Sequence, residues 1–261
     1  MKKFVYQQLI ELTNTKWTSG ALKQFAQSRI SRHLISSYKK TFQIDTNGAL
    51  KNQSDYKSLH DFFIREYDRT KNVLVPATTE TVISPVDAKV ESMGELTPEG
   101  EFMVKGQAYS VRRLLARADH AEDFYGGEYV VLYLSPADYH RIHSPVDGVV
   151  YEHYLSGGRS YPVNQLGLLY GKKPLSDNYR VVNLVKSHGK KLAVIKVGAM
   201  FVNSIEMTVT NDTWRKGQEV GYFGFGSTVV LLFEKGAIKW RDTCQVGRKV
   251  QVGEPLCDML Y

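Results

Sequence analysis

Four residues of this chain have side chains and neighbours suited to chemistry: Asp87, His140, His143 and Ser227. Ser227 follows Gly226 at the start of an apolar run, and a glycine carbonyl is open to attack by the next hydroxyl because no Cβ crowds it. The tripeptide at residues 226–228 is also typical of a tight turn before a strand. On this segment alone, both interpretations stay open.

His140 and His143 stand three residues apart in the segment DYHRIHSP. This spacing fits two imidazoles that meet one metal ion on a helical turn, or two imidazoles that face separate parts of one pocket. A zinc site needs further ligands, and none follows at a metal-motif spacing. Because histidine titrates near neutral pH, we favour acid–base work over a metal site or a purely structural pair. We therefore expect no bound metal.

Asp87 closes the sequence Ser-Pro-Val-Asp at residues 84–87, which recurs at residues 144–147. We name these segments the first loop and the second loop. Such a segment is usually a proline-started turn whose aspartate accepts hydrogen bonds from nearby amides, and this is our interpretation of Asp147. Asp87 has a second interpretation, in which it holds a histidine in one tautomer as part of a serine–histidine–aspartate set.

The elements that must position these residues are mostly short strands. Runs of β-branched and aromatic residues, separated by glycine-containing turns, occupy residues 82–84, 128–134, 148–154, 180–185, 192–197, 205–209 and 228–233. Helices are predicted near residues 59–65 and 111–118. The pattern predicts an α+β fold with a mostly antiparallel β core of barrel-sandwich character. We expect a helical annex at residues 1–42 and one catalytic domain at 43–261.

The positive charge of the chain lies in its first 40 residues. They hold eight basic residues and one acid, an excess that equals the formal net charge of +7 for the whole chain. Apolar residues recur there at helical spacing, at Val5, Leu9 and Leu12 and again at Ile30, Leu34 and Tyr38. Such helices fit the surface of an anionic membrane or pack on the protein with a solvated face, and both can hold at once. We see no nucleic-acid-binding motif.

Nothing in the sequence predicts a membrane span or secretion. The longest run without charge, residues 220–233, is too short and too rich in glycine to cross a bilayer. The first residues lack the apolar core of a signal peptide. Cys244 and Cys257 do not make a disulfide framework. We expect a cytosolic protein at the periphery of the cell membrane.

The order of these segments resembles that of phosphatidylserine decarboxylases, and the chain looks like a short bacterial member. The segments that carry the resemblance are Asp87 in SPVD, His140 and His143 in YHRIHSP, Val197-Gly198-Ala199 and Gly226-Ser227-Thr228. It extends through Phe62-Phe63-x-Arg65, Pro162-Val163-Asn164 and Asn178-Tyr179-Arg180. Two positions depart from the usual pattern, because Phe225 replaces a leucine and Tyr179 replaces a glutamate.

The resemblance implies a proenzyme that cuts itself between Gly226 and Ser227 into a long chain, 1–226, and a short chain, 227–261. His143 would take the Ser227 proton while Asp87 orients the imidazole. The resulting ester would eliminate to dehydroalanine at position 227, which would hydrolyse to a covalent pyruvoyl group and ammonia. That group would form a Schiff base with phosphatidylserine and replace a free cofactor. His140 is the candidate for protonating Cα after CO2 leaves, giving phosphatidylethanolamine.

The resemblance also implies partners. They are an anionic membrane surface on its cytoplasmic side, phosphatidylserine or a related serine phospholipid, and a second copy of the chain in a homodimer. Two alternatives remain. A zinc hydrolase using His140 and His143 would hold stoichiometric metal, whereas a membrane-associated binding module would stay a single intact chain.

Overall fold

The structure is a computed structural model that describes residues 16–68, 76, 78–199, 205–224 and 227–260. The α-helices of these residues are α1 (Lys16–Gln27), α2 (Ile35–Phe42), α3 (Leu59–Phe63), α4 (Val111–Leu115), α5 (Ala118–Ala121), α6 (Gln165–Tyr170) and α7 (Pro174–Asp177). Short 3-10 helices are Arg29–Leu34, Gln53–Asp55 and Glu122–Phe124.

The strands of the same residues belong mostly to one large sheet and two small ones. They are β1 (Thr81–Ile83), β2 (Ala88–Glu95), β3 (Glu101–Val104), β4 (Gln107–Ser110), β5 (Glu128–Leu134), β6 (Arg141–His143), β7 (Gly148–Ser156), β8 (Arg180–Ser187), β9 (Lys190–Gly198), β10 (Ile205–Met207), β11 (Thr213–Trp214), β12 (Glu219–Phe223), β13 (Ser227–Phe233), β14 (Ile238–Trp240), β15 (Lys249–Val250) and β16 (Pro255–Met259).

The central sheet has eight strands in the order β11-β7-β8-β9-β13-β5-β2-β15, and its neighbours are antiparallel. β13 lies in its interior between β9 and β5, and all seven residues of β13 are buried. The sequence STVVLLF suits this place because a strand covered on both faces needs an unbroken run of apolar, largely β-branched residues. This strand holds Ser227 rigidly at its first position.

Two apolar cores lie on opposite faces of the central sheet. On one face, alternate residues of β13 (Val229, Leu231 and Phe233) pack with two three-stranded sheets, β1-β16-β14 and β10-β12-β6. On the other face, Val230 and Leu232 pack against the β3–β4 hairpin and α4. This alternation follows from the period of two in a strand. Ser227 shares the sandwich face with Val229, and so do Gly198 and Lys196 of β9.

The predicted fold class is confirmed, because the protein is α+β with antiparallel sheets stacked as a sandwich. The central sheet has β11 and β15 at its two edges, so it does not close into a barrel. Each predicted strand run overlaps a strand: four are extended by one to three residues, the run at 205–209 is shortened to 205–207, and the run at 82–84 lies one residue earlier. The helix predicted at 59–65 appears as α3, and the one at 111–118 is divided into α4 and α5. Helices α6 and α7 were not predicted, since each is only four to six residues long.

The annex is helical where it is described, and its Ile35 packs against Ile44, Tyr56 and Phe62 of the following residues. Ile30 is 72% exposed and Leu34 43% exposed, so these predicted apolar positions do not pack inside. Val5, Leu9 and Leu12 lie outside the described residues. Among the helices that the structure describes, none has the length and hydropathy needed to span a bilayer.

Candidate active site

Ser227 opens β13, and its register partners are Gly198 on β9 and Leu134 on β5. The side chain is fully buried, and its Oγ has no hydrogen-bond partner among the residues that the structure describes. Burying an unpaired hydroxyl costs about 1–3 kcal/mol, which a simple turn before a strand does not require. Phe225 and Gly226 lie outside the described residues, so the predicted cleavage bond is described from its serine side only.

The strand end opposite Ser227 is held by Asn178, which is fully buried. Its Nδ2 donates to the carbonyls of Gly198 at 2.8 Å and Tyr161 at 2.7 Å, and its Oδ1 accepts from the Tyr161 N–H at 2.9 Å. The Gly198 N–H donates to the Tyr179 carbonyl at 2.9 Å. A Cβ on Gly198 would lie only 3.3 Å from that carbonyl oxygen. Asn178 and Tyr179 therefore position the register partner of Ser227.

Arg180 braces the same unit from behind. It is almost fully buried, and its guanidinium donates to the carbonyls of Leu114 at 2.6 Å and Arg113 at 2.9 Å. A third bond reaches the Asn178 carbonyl at 3.0 Å. The segment 178–180 is thus a structural support for the strand end, and Tyr179 contributes to it through its backbone carbonyl.

The first and second loops have the same internal hydrogen bonds. In each, the serine Oγ donates to the valine carbonyl two residues later at 2.7 Å. The Asp87 Oδ1 accepts from the Val252 N–H at 2.8 Å, and the Asp147 Oδ1 accepts from the Lys216 N–H at 2.9 Å. Each aspartate therefore ties its loop to a turn that precedes a strand. The amides that Asp147 and Asp87 bond are not nearby in the sequence as predicted, because Lys216 and Val252 lie 69 and 165 positions away along the chain.

The two loops are also joined to each other. The His143 N–H donates to the Pro85 carbonyl at 2.8 Å, and the Ile83 N–H donates to the Pro145 carbonyl at 3.0 Å. His143 and Ile83 thus occupy equivalent positions, each directly before a Ser-Pro-Val-Asp loop. Through this pairing, the fold brings the loop of Asp87 against the strand of His143.

His143 is buried at the end of β6. Its Nδ1 lies 2.8 Å from the Gly217 carbonyl oxygen, and its Nε2 lies 3.3 Å from the Tyr139 hydroxyl. Because a carbonyl oxygen can only accept, Nδ1 carries the proton and Nε2 presents its lone pair. This is the tautomer of a base acting at Nε2. No hydrogen bond joins His143 to Ser227, since the serine Oγ has no partner.

His140 lies directly before β6 and is almost fully buried. Its Nδ1 lies 2.8 Å from the Asp138 carbonyl oxygen, so Nδ1 carries the proton, and its Nε2 has no hydrogen-bond partner. Burial, followed by the charge of Arg65, lowers the pKa of His140 to about 3. The imidazole is therefore neutral at physiological pH, with a free lone pair on Nε2.

The segment after α3 clamps the loop that carries His140. The Phe63 ring centroid lies 3.9 Å from that of His140. The Arg65 Nη2 donates to the carbonyls of Ala137 at 2.6 Å and Asp138 at 3.1 Å, and the Arg141 Nε donates to the Ile64 carbonyl at 3.1 Å. The Phe-Phe-x-Arg motif thus acts on His140 by packing and by fixing the loop backbone.

An open polar cavity of about 520 Å³ lies beside the first loop, and Asp87, Asp138, Tyr139 and Lys249 are among its lining residues. Burial raises the pKa of the Asp138 carboxyl, and the nearby Asp87 charge raises it further. Asp87 therefore faces solvent-accessible space as well as the Val252 amide. This cavity is the polar approach to the paired loops.

The alternative metal site has little support in the geometry. His140 and His143 flank a strand and do not share a helical turn, and each Nδ1 is bonded to a different backbone carbonyl. In the part of the chain that the structure covers, no group of three or more His, Cys, Asp or Glu side chains is arranged to hold a metal ion.

Three roles were missed from the sequence: those of Asn178, Arg65 and the Gly217 carbonyl. Asn178 and Arg65 were noted only as parts of recurring motifs, and a buried polar residue between apolar runs was the available signal. The Gly217 carbonyl gives no signal in the sequence, because a backbone acceptor depends on the fold alone.

Comparisons with known proteins place the chain in a family. A family model described as phosphatidylserine decarboxylase matches residues 59–258. The chain is 44% identical over 260 residues to the phosphatidylserine decarboxylase proenzyme of Bacillus thuringiensis (strain Al Hakam), covering 100% of this chain and 99% of that protein. It is 45% identical over 254 residues to the phosphatidylserine decarboxylase proenzyme of Geobacillus sp. (strain WCH70), covering 97% and 98%. The matched residues include all four candidates.

Proposed function

This chain belongs to the phosphatidylserine decarboxylase family, and from that premise we propose that it makes its own catalytic group at Ser227. It is a self-processing proenzyme that decarboxylates phosphatidylserine. The observation that carries the assignment to Ser227 is the combination of a buried Oγ without a hydrogen-bond partner among the described residues and a place directly after Gly226, at the first position of β13. Ser176 and Thr228 also have buried hydroxyls without such partners, but neither follows a glycine.

In the proposed cleavage, the His143 Nε2 changes its hydrogen-bond partner from the Tyr139 hydroxyl to the Ser227 hydroxyl. It then accepts the serine proton. The Ser227 oxygen then attacks the Gly226 carbonyl carbon, and an ester replaces the amide between the two residues. Elimination across Ser227 separates the chains 1–226 and 227–261 and leaves dehydroalanine at position 227, which water hydrolyses to the pyruvoyl group and ammonia. The Gly217 carbonyl holds the Nδ1 proton throughout, and the Asp87 charge on the adjoining loop favours the imidazolium.

The surroundings of Ser227 fit a small ketone at this position. Gly198 opposite has no side chain, and Asn178 holds its carbonyl in place. A pyruvoyl group at residue 227 supplies a carbonyl that delocalises the electron pair left at the substrate Cα when CO2 departs. The burial of the position keeps water away from that carbonyl.

We assign the proton movement to His140 Nε2. Because burial keeps this imidazole neutral, it has a lone pair and no proton to give in its resting state. A substrate amine that arrives as an ammonium ion must lose a proton before it can act as a nucleophile. The negative charges of bound phosphatidylserine favour the charged imidazolium. His140 then takes that proton and returns it to the substrate Cα after CO2 leaves, so one residue completes the cycle without a net change.

The experiment for Ser227 is an intact mass measurement under denaturing conditions. Wild type should separate into two chains, the shorter one of 35 residues and carrying a pyruvoyl end, whereas Ser227→Ala should stay whole. Thr228→Ala is the matched control, because Thr228 is also buried with an unpaired hydroxyl and should be cleaved. A folded wild type that stays intact would support the binding-module alternative.

We also propose that residues 1–42 bring the active site to the cytoplasmic face of the membrane. Phe25, Ile30 and Leu34 are exposed apolar side chains, and Arg29 and Arg32 are exposed beside them. Apolar insertion and attraction to anionic lipid both follow from this arrangement. The remaining residues, 43–261, form the catalytic domain of this proposal, and the active form is a homodimer.

Vesicle binding tests the role of the annex. Replacing Lys16, Lys23, Arg29 and Arg32 by glutamine should weaken binding to anionic vesicles about tenfold or more, since each basic residue near the surface contributes about 1 kcal/mol. The control replaces four basic residues elsewhere, Lys186, Arg215, Lys235 and Lys239, by glutamine. Equal binding by the two variants would make the annex purely structural.

A further inference from the structure

Helix α6 has an apolar outer side that stays exposed. Its sequence is QLGLLY, and while Leu168 is fully buried, Leu166 is 49% exposed and Leu169 is 41% exposed. The two exposed leucines stand three residues apart, so they lie on the same side of the helix. A helix that is apolar on all sides is normally covered on all sides, whereas a surface helix turns polar residues to water. The outer side of α6 therefore has the composition of a contact surface.

Hydrogen bonds at both ends hold α6 in this orientation. At its start, the Asn164 Oδ1 accepts from the Gly167 N–H at 2.8 Å. At its end, the Gln107 Nε2 donates to the carbonyls of Leu168 at 2.8 Å and Gly171 at 3.0 Å. Because Leu168 is also packed in the core, the helix cannot turn its exposed leucines inward without breaking these contacts.

Helix α6 and the annex lie on opposite sides of the strand that begins with Ser227. On the β9 side, the segment that contains α6 runs from Tyr161 to Asn178, and Asn178 bonds Tyr161. It also bonds Gly198, the register partner of Ser227 at the end of β9. On the β5 side, Ala137 follows the end of that strand and packs against the buried cluster that α2 of the annex joins.

Positive charge borders the exposed leucines. Lys172 is exposed and Lys173 half-buried just after α6, and Arg159 is exposed on the loop before it. Asp177 is the one acid in the sequence between residues 157 and 178, and it is paired with Arg113 at 2.8 Å. Apolar side chains with a basic border suit an anionic bilayer. A second copy of the chain fits less well, because a two-fold interface would bring this basic border toward an identical one.

We propose that the outer side of α6 is a second membrane-contact surface, which rests against an anionic phospholipid bilayer across Ser227 from the annex. Leu166 and Leu169 enter the boundary between head groups and acyl chains, and Lys172 and Lys173 meet the lipid phosphates. This inference rests on the proposed function, in which the substrate is a lipid held in a bilayer. Contacts on both sides of Ser227 fix the orientation of this end of the sheet toward the membrane, which the annex alone would leave free to tilt.

The test is vesicle sedimentation of full-length Ser227→Ala with vesicles of phosphatidylcholine and phosphatidylglycerol. Adding Leu166→Ser and Leu169→Ser should weaken binding about tenfold, because the bilayer no longer covers two apolar side chains. The matched control adds Val149→Ser and Val246→Ser, which are 49% and 59% exposed and lie outside α6 and the annex. Its binding should equal that of the parent chain.

A second variant tests the charge. Lys172→Gln with Lys173→Gln, in the same parent chain, should weaken binding to these anionic vesicles about tenfold. Binding to vesicles of phosphatidylcholine alone should change by less than about twofold, since no anionic lipid is present. Urea unfolding of each variant shows that it is folded.

Two results would overturn the proposal. One is a folded leucine variant that binds vesicles as the valine control does, and the other is a lysine variant that binds anionic vesicles as its parent does. If the leucine variant also loses a dimeric mass in sedimentation velocity while its vesicle binding is unchanged, the surface belongs to a second copy of the chain. Because all variants carry Ser227→Ala, a wild type that fails to cleave itself would count against the proposed function and leave this result intact.

Discussion

The first and second Ser-Pro-Val-Asp loops have the same sequence and the same hydrogen bonds, yet only the second is preceded by histidines. Each serine bonds the valine carbonyl of its own loop, and each aspartate bonds an amide of a turn near a strand. Where the second loop is preceded by His140 and His143, the first is preceded by Glu80 and Ile83. The two loops therefore have the same structural role, but only the second follows the two histidines proposed to act as bases.

The pairing of the loops brings the histidine strand of the second loop into contact with the first loop. The His143 N–H donates to the Pro85 carbonyl. This hydrogen bond brings the first loop, which carries Asp87, beside the strand that carries His143. Asp147, on the same loop as His143, lies beyond it in the chain and is bonded to the Lys216 amide. The aspartate that ends each loop thus has the same structural contact in both loops, and in the first loop it can also have an electrostatic role.

The largest effect is expected from making the second loop resemble the first. His143→Ile, which installs the residue found at position 83, should slow self-cleavage by about 10²–10⁴-fold, because it removes the base at Nε2. The appearance of the short chain over time measures this. Ile83→Val, at the equivalent position before the first loop, is the control. It should lower the free energy of unfolding by only about 0.5–1.5 kcal/mol and leave cleavage unaffected. Normal cleavage by His143→Ile would remove His143 from the mechanism.

A smaller effect concerns His140 and the dependence of stability on pH. Its pKa is lowered from 6.5 to about 3 in the folded chain, so the unfolded chain binds a proton that the folded chain excludes. The stabilising contribution is present above pH 6.5 and is lost as the pH falls from there toward 3, at up to about 1.4 kcal/mol per pH unit.

Urea unfolding of uncleaved Ser227→Ala between pH 7 and 4 tests this slope. Adding His140→Gln should make the free energy of unfolding fall less steeply with decreasing pH. Since His60 and His153 titrate in the same direction, the difference between the two chains isolates His140. Equal slopes would show that His140 is not kept neutral by burial.

The smallest effect is expected where the loops are alike. Ser84→Ala and Ser144→Ala each remove one buried hydrogen bond, so each should lower the free energy of unfolding by about 1 kcal/mol. Measured by urea unfolding in the Ser227→Ala background, the two losses should agree within about 0.5 kcal/mol. A clearly larger loss at one loop would mean that the shared hydrogen bonds hide a difference in packing.

Seven of the sixteen described strands and the repeated loops could be predicted from the sequence, because each leaves a local pattern. The β13 run and the turns around it are examples, since periodicity and glycine positions depend on neighbouring residues. The roles of the four candidate residues stay predictions. The contacts that assemble the site could not be predicted. Arg65 reaches the Ala137 carbonyl across 72 positions of the chain, and such a bond has no spacing rule.

The loop pairing explains why the role of Asp87 was harder to predict than its structure. The bend itself follows from the proline and aspartate of one loop, whereas the hydrogen bond of Asp87 to the Val252 amide joins residues 165 positions apart. The nearness of Asp87 to the strand of His143 depends on two loops 60 residues apart meeting through their backbones. Likewise, the sequence could not show that Ile30 and Leu34 are exposed. Helical spacing predicts that a helix has an apolar side, but it does not predict what covers that side.

The most direct test of the central claim is the rate of self-cleavage in Asp87→Asn beside Asp147→Asn. Asparagine keeps the Oδ1 acceptor for the turn amide in both loops but removes the negative charge. We predict that Asp147→Asn cleaves at the wild-type rate, whereas Asp87→Asn is slowed by about 10²-fold or more because the His143 cation loses its partner. Equal rates in the two folded variants would contradict the account, since the loops would then be equivalent in chemistry as well as in structure.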